Sequence, residues 1–175
     1  MDNSTEENTL EYWLRGPLPN IPQLLQPAAH ALLQSEKELK QYTTDFPKEL
    51  LWAKVGGRAS IGFHMNHITG VVDRMLTYAK GEPLSQEQFD FLEKEGLFDQ
   101  QADVAQLQEQ FSNKVAEALQ YFEGISEPTL KESRTVGRKK LPSTVLGLLF
   151  HAAEHSQRHT GQLLVTASVL TSRIE

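Results

Sequence analysis

Six histidines stand at positions 30, 64, 67, 151, 155 and 159, and five of them fall within two short windows, 64–67 and 151–159. An α-helix turns about 100° per residue, so side chains four positions apart lie roughly 40° from one another on one face. His151, His155 and His159 therefore form a ladder if their segment is helical. With His155 as reference, Leu148, Ala152, Leu163, Thr166 and Leu170 lie within about 80° of it, and Phe150 and Ala153 lie nearly opposite. His155 and His159 thus follow the apolar stripe into the interior. A buried imidazole without partners carries a desolvation penalty of roughly 1–3 kcal/mol. A divalent metal removes it, because each neutral ring gives one nitrogen lone pair to the ion and its other N–H to a nearby acceptor. Two histidines at i, i+4 form a bidentate clamp. A third ligand from another helix leaves a coordination position open, the arrangement of a catalytic rather than a structural site.

The third ligand is expected from the 64–67 window. His64 lies on an apolar stripe with Ile61, Ile68, Val71, Val72, Met75, Leu76 and Ala79, whereas His67 sits on the edge of that stripe, and spacing alone does not choose between them. His30 is expected on a helix surface, and His151 beside the pocket without binding the ion. Glu154 and Arg158 flank the ladder but point to other faces. Arg74, two turns from His67, is positioned either for an ordinary salt bridge or for an anionic substrate.

These residues need helices to hold them, and the chain supplies four long candidates. The first is read over about residues 22–42, with Pro22 or Pro27 in its first turn. The second opens at the N-cap Ser60 and closes near Gly81. A short acidic helical piece follows from Ser85 to near Gly96. The third long stretch spans 99–123, with Val104, Leu107, Phe111, Val115, Ala118, Leu119 and Phe122 as its stripe. The last runs from Pro142-Ser143-Thr144 to about Thr171. Residues 124–141 mix Gly, Pro, Thr and basic side chains without a period, and read as a long loop with an extended segment near 130–136. No convincing β run appears, so the expectation is an all-α, antiparallel four-helix bundle with a long loop before the last helix. Residues 1–14 read as an N-terminal arm anchored by Trp13 and Leu14, and 15–175 as one domain.

Composition narrows the chemistry. The chain has no cysteine, which leaves no disulfide framework, thiolate zinc site, cysteine nucleophile or iron–sulfur cluster. The net charge of −6 opposes a grip on nucleic-acid phosphates. No window approaches 18 uninterrupted apolar residues, and the polar, acidic start MDNSTEENTL is unlike a signal peptide. The expectation is a soluble, cytoplasmic protein without nucleic-acid or membrane partners.

The stretch HSQRHTGQL, residues 155–163, resembles the H-x-x-x-H-x-G-Q signature at the end of the DinB/YfiT-like family of metalloenzymes. The stretch SIGFHMNHITGVVDRMLTYAKG, residues 60–81, resembles that family's second helix, and the two lie in the expected order. The resemblance implies a four-helix bundle and a divalent ion, zinc or nickel most of all, held by His67, His155 and His159. His64 is then an additional histidine that could compete with His67. Gly161 matches the family's glycine, expected to let a neighbouring helix approach closely, and Gln162 matches its glutamine, expected to orient a ligand or bound water. Relatives of this kind include bacillithiol S-transferases, a mycothiol-dependent maleylpyruvate isomerase and proteins described as metal-dependent hydrolases. The implied activity is activation of a low-molecular-weight thiol or of water for transfer to, or hydrolysis of, a small-molecule substrate, in a protein that forms homodimers. The alternative is a non-catalytic, dimeric interaction protein with a structural or vestigial metal site.

Overall fold

The computed structural model describes residues 10–172. Helix α1 covers Gln26–Thr43 and is entered through a 3-10 turn at Gln23–Leu25, so the single helix expected from residue 22 is split. Pro27 occupies its first turn, where the missing N–H would have had no intrahelical partner. Helix α2, Ile61–Ala79, is capped by the Ser60 hydroxyl, which accepts from the Phe63 N–H. Helix α3, Gln86–Lys94, starts at a reciprocal Ser85–Gln88 capping box; each such cap is worth about 1 kcal/mol. Helix α4, Val104–Glu123, begins only after Asp103, whose carboxylate accepts from the N–H groups of residues 105 and 106. Helix α6, Val145–Thr171, is capped by Thr144.

The segment expected as a loop holds more structure than its sequence suggests. A one-turn helix α5, Glu127–Leu130, leads into strands β1, Ser133–Val136, and β2, Leu141–Thr144. They pair antiparallel with Ser133 opposite Thr144 and Val136 opposite Leu141. The turn between them uses Gly137 and Lys140, both at positive φ. Pro142 and Ser143 therefore belong to β2 rather than to the opening of α6. The open end of the hairpin is held: Arg134 Nε donates to the Ala79 carbonyl of α2 at 2.8 Å, and the Val145 N–H donates to the Glu132 carbonyl at 3.1 Å, one pair beyond Ser133 and Thr144. It delivers the chain to α6 beside the C-terminal end of α2.

Helix α6 packs against α2 on one side and α1 on the other, and α4 packs against both α2 and α1. The shared core contains Leu32 and Leu39 of α1, Ile68, Val72 and Leu76 of α2, Phe111 and Phe122 of α4, and Leu148, Leu149 and Leu163 of α6. Burying each of these stabilises the fold by about 1.5–3 kcal/mol. Polar contacts fix the alignment of α6 on α1, since the Gln157 amide donates to the Ala31 carbonyl and to Ser35 Oγ, each at 2.9 Å.

The expected arm lies mostly outside the described residues. Within 10–14, a 3-10 turn at Tyr12–Leu14 is held by its backbone, the Tyr12 N–H donating to Gln34 Oε1 at 3.1 Å. Trp13 and Leu14, expected as anchors, are 64% and 49% exposed. The backbone provides the attachment in their place. No helix among the described residues is long and apolar enough to cross a membrane.

Candidate metal centre

Helices α2 and α6 lie side by side, and their histidines meet at the contact. His67 Nε2 is 3.0 Å from His155 Nε2, and the rings of His67 and His155 lie 4.5 Å, centroid to centroid, from that of His159. One ligand atom from each of His67, His155 and His159 falls within 4.8 Å of the others. Two imidazole nitrogens on a tetrahedral zinc stand about 3.3 Å apart, given bonds near 2.05 Å. The donor set fits a divalent cation. His155 Nδ1 is buried and has no hydrogen-bond partner among the described residues, although Nε2 of the same ring faces His67.

His64 is not in that triad. It is almost fully buried, and its Nδ1 lies 2.9 Å from His159 Nδ1. In the tautomer with its proton on Nδ1, His159 donates to His64 and keeps the Nε2 lone pair for a cation. Phe63 closes one side, its ring stacked on His67 at 4.9 Å and 14°.

Glu95 is the residue that the sequence reading missed. It follows α3 directly, is 3% exposed, and uses both oxygens. Oε2 accepts from His67 Nδ1 at 2.7 Å, and Oε1 accepts from Arg74 Nη1 at 2.6 Å. The first contact places the His67 proton on Nδ1 and turns Nε2 toward His155. The second makes Arg74 the ordinary salt-bridge residue that was one of its two expected roles. Two signals in the sequence pointed here. An acid at a helix C-terminus opposes the helix dipole and needs a partner. Gly70, in the middle of α2, costs about 1 kcal/mol relative to alanine and so implies a packing demand. A Cβ on Gly70 would fall 2.6 Å from Arg74 Nη1 and 2.9 Å from the Phe91 ring, and would also strike Glu95 Oε1. The glycine makes room for the ion pair behind His67.

The electrostatics favour neutral rings. Burial, followed by the neighbouring His67, lowers His64 from 6.5 to about 4 and His155 to about 4. The same causes lower His159 to about 3. Neutral imidazole is the ligand form, so His155 and His159 are held in the state that binds a metal.

The remaining expectations divide. His30, on α1, is satisfied by the Gly16 carbonyl at 3.1 Å. His151 pairs with Glu154 at 2.8 Å, and Arg158 pairs with the other Glu154 oxygen at 2.6 Å. His151, Glu154 and His155 form a second group that could hold an ion, drawn from one helix and sharing His155 with the first. Gly161 does not serve a close helix approach: it is exposed, and a Cβ there would meet nothing within 4 Å. Gln162 is also exposed and lines a cleft beside His64.

A family model described as the DinB superfamily matches residues 31–163, a span that contains every residue of both histidine windows. No curated protein matches the chain. Among solved structures, the crystal structure of a conserved protein from Enterococcus faecalis is similar in fold, with a TM-score of 0.66 at 16% identity. The likeness covers 85% of this chain and 97% of that one.

Proposed function

This chain belongs to the DinB superfamily, and from that premise we propose that it is a divalent-metal-dependent enzyme in which His67, His155 and His159 hold the ion. The long helices α1, α2, α4 and α6 form the antiparallel four-helix bundle that carries the site. The observation that supports this most is the convergence of three ring nitrogens from two helices within 4.8 Å. When bound, a divalent ion such as zinc or nickel supplies a Lewis acid with a position beyond three imidazoles, where the pKa of a thiol or water falls.

The chain's own residues have distinct parts in this reading. Glu95 fixes the tautomer and ring plane of His67, and His64 does the same for His159. Arg74 holds Glu95 in place. Phe63 keeps water from one side of the rings. Gln162 orients the bound small molecule. Among the described residues, both carboxylates nearest the rings are occupied: Glu95 by Arg74 and His67, Glu154 by His151 and Arg158. Water activation needs a free base to take the proton. A low-molecular-weight thiol ionises far more readily, so the occupied carboxylates favour S-transfer over hydrolysis. In that reaction the thiol gives up its proton to solvent, and the sulfur forms a bond to an electrophilic carbon of a small-molecule substrate. The bond broken at that carbon leaves its electron pair on the displaced atom, a departing chloride or a ring-opened epoxide oxygen that takes a proton from solvent.

The test joins metal analysis to a thiol panel. Purified protein from metal-supplemented cells is expected to carry about one equivalent of ion, lost in His67→Ala, His155→Ala and His159→Ala with helicity retained. Metal-dependent conjugation of a chlorinated aromatic or epoxide by one thiol of the panel supports the transferase. No bound metal in the wild type refutes the proposal. A second reading, a dimeric interaction protein with a structural ion, draws on exposed apolar side chains such as Phe98 at 74% and Val165 at 63%. It predicts a homodimer in solution and no turnover with any thiol.

A further inference from the structure

The basic residues nearest the centre are not all explained by the reading above. A cleft of about 510 Å³ lies between the loop before α2 and the exposed side of α6, lined by Arg58, His64, Arg158, Gly161, Gln162 and Val165 among others. No acidic residue lines it, in a chain whose net charge is −6. Arg58 has no carboxylate partner among the described residues, and its backbone is fixed by a turn in which its N–H donates to the Val55 carbonyl at 2.9 Å. Arg158 gives Nη2 to Glu154, which holds the guanidinium while its other N–H groups stay available. Gly161 leaves open space above the helix, where a Cβ would touch nothing. His64, the inner wall of the cleft, contacts His159 at 2.9 Å, so an occupant would sit one ring away from the histidine triad.

We propose that this cleft seats an anionic group, a carboxylate or a phosphate, of the small molecule that reacts at the histidine centre, with Arg58 and Arg158 as its specificity-determining residues. Two guanidinium forks match an oxyanion in geometry and charge. The exposed Gln162 adds neutral hydrogen bonds, and Val165 offers an apolar surface to the carbon skeleton. Gly161 has a role here that a helix–helix contact does not give it, since any larger side chain would fill the floor of the cleft. This inference rests on the proposed function and names the substrate class for that same site.

The experiment is calorimetric titration of succinate and, separately, of inorganic phosphate into the metal-free and the zinc-loaded full chain. Neutral succinamide is the control. One of the two anions is expected to bind saturably at one site per chain and to weaken as salt rises, and the better binder identifies the headgroup. Arg58→Gln should weaken binding about fivefold, the upper range for an exposed ion pair, and Gly161→Leu should abolish it, with zinc content unchanged in both. Absence of saturable binding by either anion, or equal affinity in Arg58→Gln, overturns the inference. Zinc stoichiometry in the same samples separates the two claims: zinc bound without anion binding removes only this inference, and no zinc bound removes the proposed function.

Discussion

At Glu95 a carboxylate that the helix dipole disfavours is buried between a guanidinium and an imidazole. Removing one member of such a buried pair costs about 3–5 kcal/mol, because the other charge stays uncompensated. Glu95→Gln keeps the shape and replaces one acceptor oxygen with a donor. It is expected to lower zinc affinity by about 10–100-fold while the far-UV circular dichroism stays helical; unchanged affinity would show that the carboxylate does not serve His67. His64→Ala and His67→Ala should separate in the same titration. Loss of His67 removes a ligand and abolishes tight binding, whereas loss of His64 weakens binding within that 10–100-fold range. Equal loss in both would place His64 in the first coordination shell. At this scale the sequence was direct about the rings and only indirect about their support. The i, i+4 spacing places His155 and His159 together through helix geometry, but the Glu95–His67 contact joins residues 28 positions apart on different elements, and no local periodicity encodes it.

Among the elements, two glycines of α2 and α6 that look alike in sequence have opposite surroundings. Gly70 faces Arg74, Glu95 and Phe91 at distances that admit no methyl group, and Gly161 faces open space. Gly70→Ala is expected to destabilise by about 1–3 kcal/mol through overpacking and to weaken metal binding together with stability. Gly161→Ala is expected to stabilise by about 0.5–1 kcal/mol, the helix-propensity difference alone. Chemical denaturation of the two variants checks both signs, and destabilisation by Gly161→Ala would contradict the open cleft. The helices carrying these positions were legible because each has a wide apolar stripe and a side-chain cap. Of the hairpin before α6, the extended segment near 130–136 was legible and overlaps β1, but β2 was not, because each strand has four residues, half of them exposed, and β2 contains Pro142. The hairpin's attachment to the rest of the fold comes from the Arg134 contact to the Ala79 carbonyl rather than from an alternating pattern.

For the molecule as a whole, the full burial of His64 and the partial burial of His155 and His159 beside it make stability depend on pH. An unfolded chain binds protons on these rings near pH 6.5, while the folded chain holds His64 and His155 to about 4 and His159 to about 3. Between those values the unfolded state carries more protons, so stability falls as pH drops from about 6.5 toward 4 and no such penalty exists above 6.5. The melting temperature of the metal-free protein should decline across that window, and His64→Ala should flatten the decline; a melting temperature independent of pH from 7 to 4 would contradict the buried neutral cluster. The packing of α2 on α6 is what couples the fold to this chemistry. The most direct measurement is an anomalous difference map at the zinc edge from crystals of the zinc-loaded protein. The account predicts one peak bonded at about 2.0–2.1 Å to a ring nitrogen of each of His67, His155 and His159, with Glu95 and His64 behind the first and last of them. A peak seated instead on His151, Glu154 and His155, or none near residue 67, would contradict it.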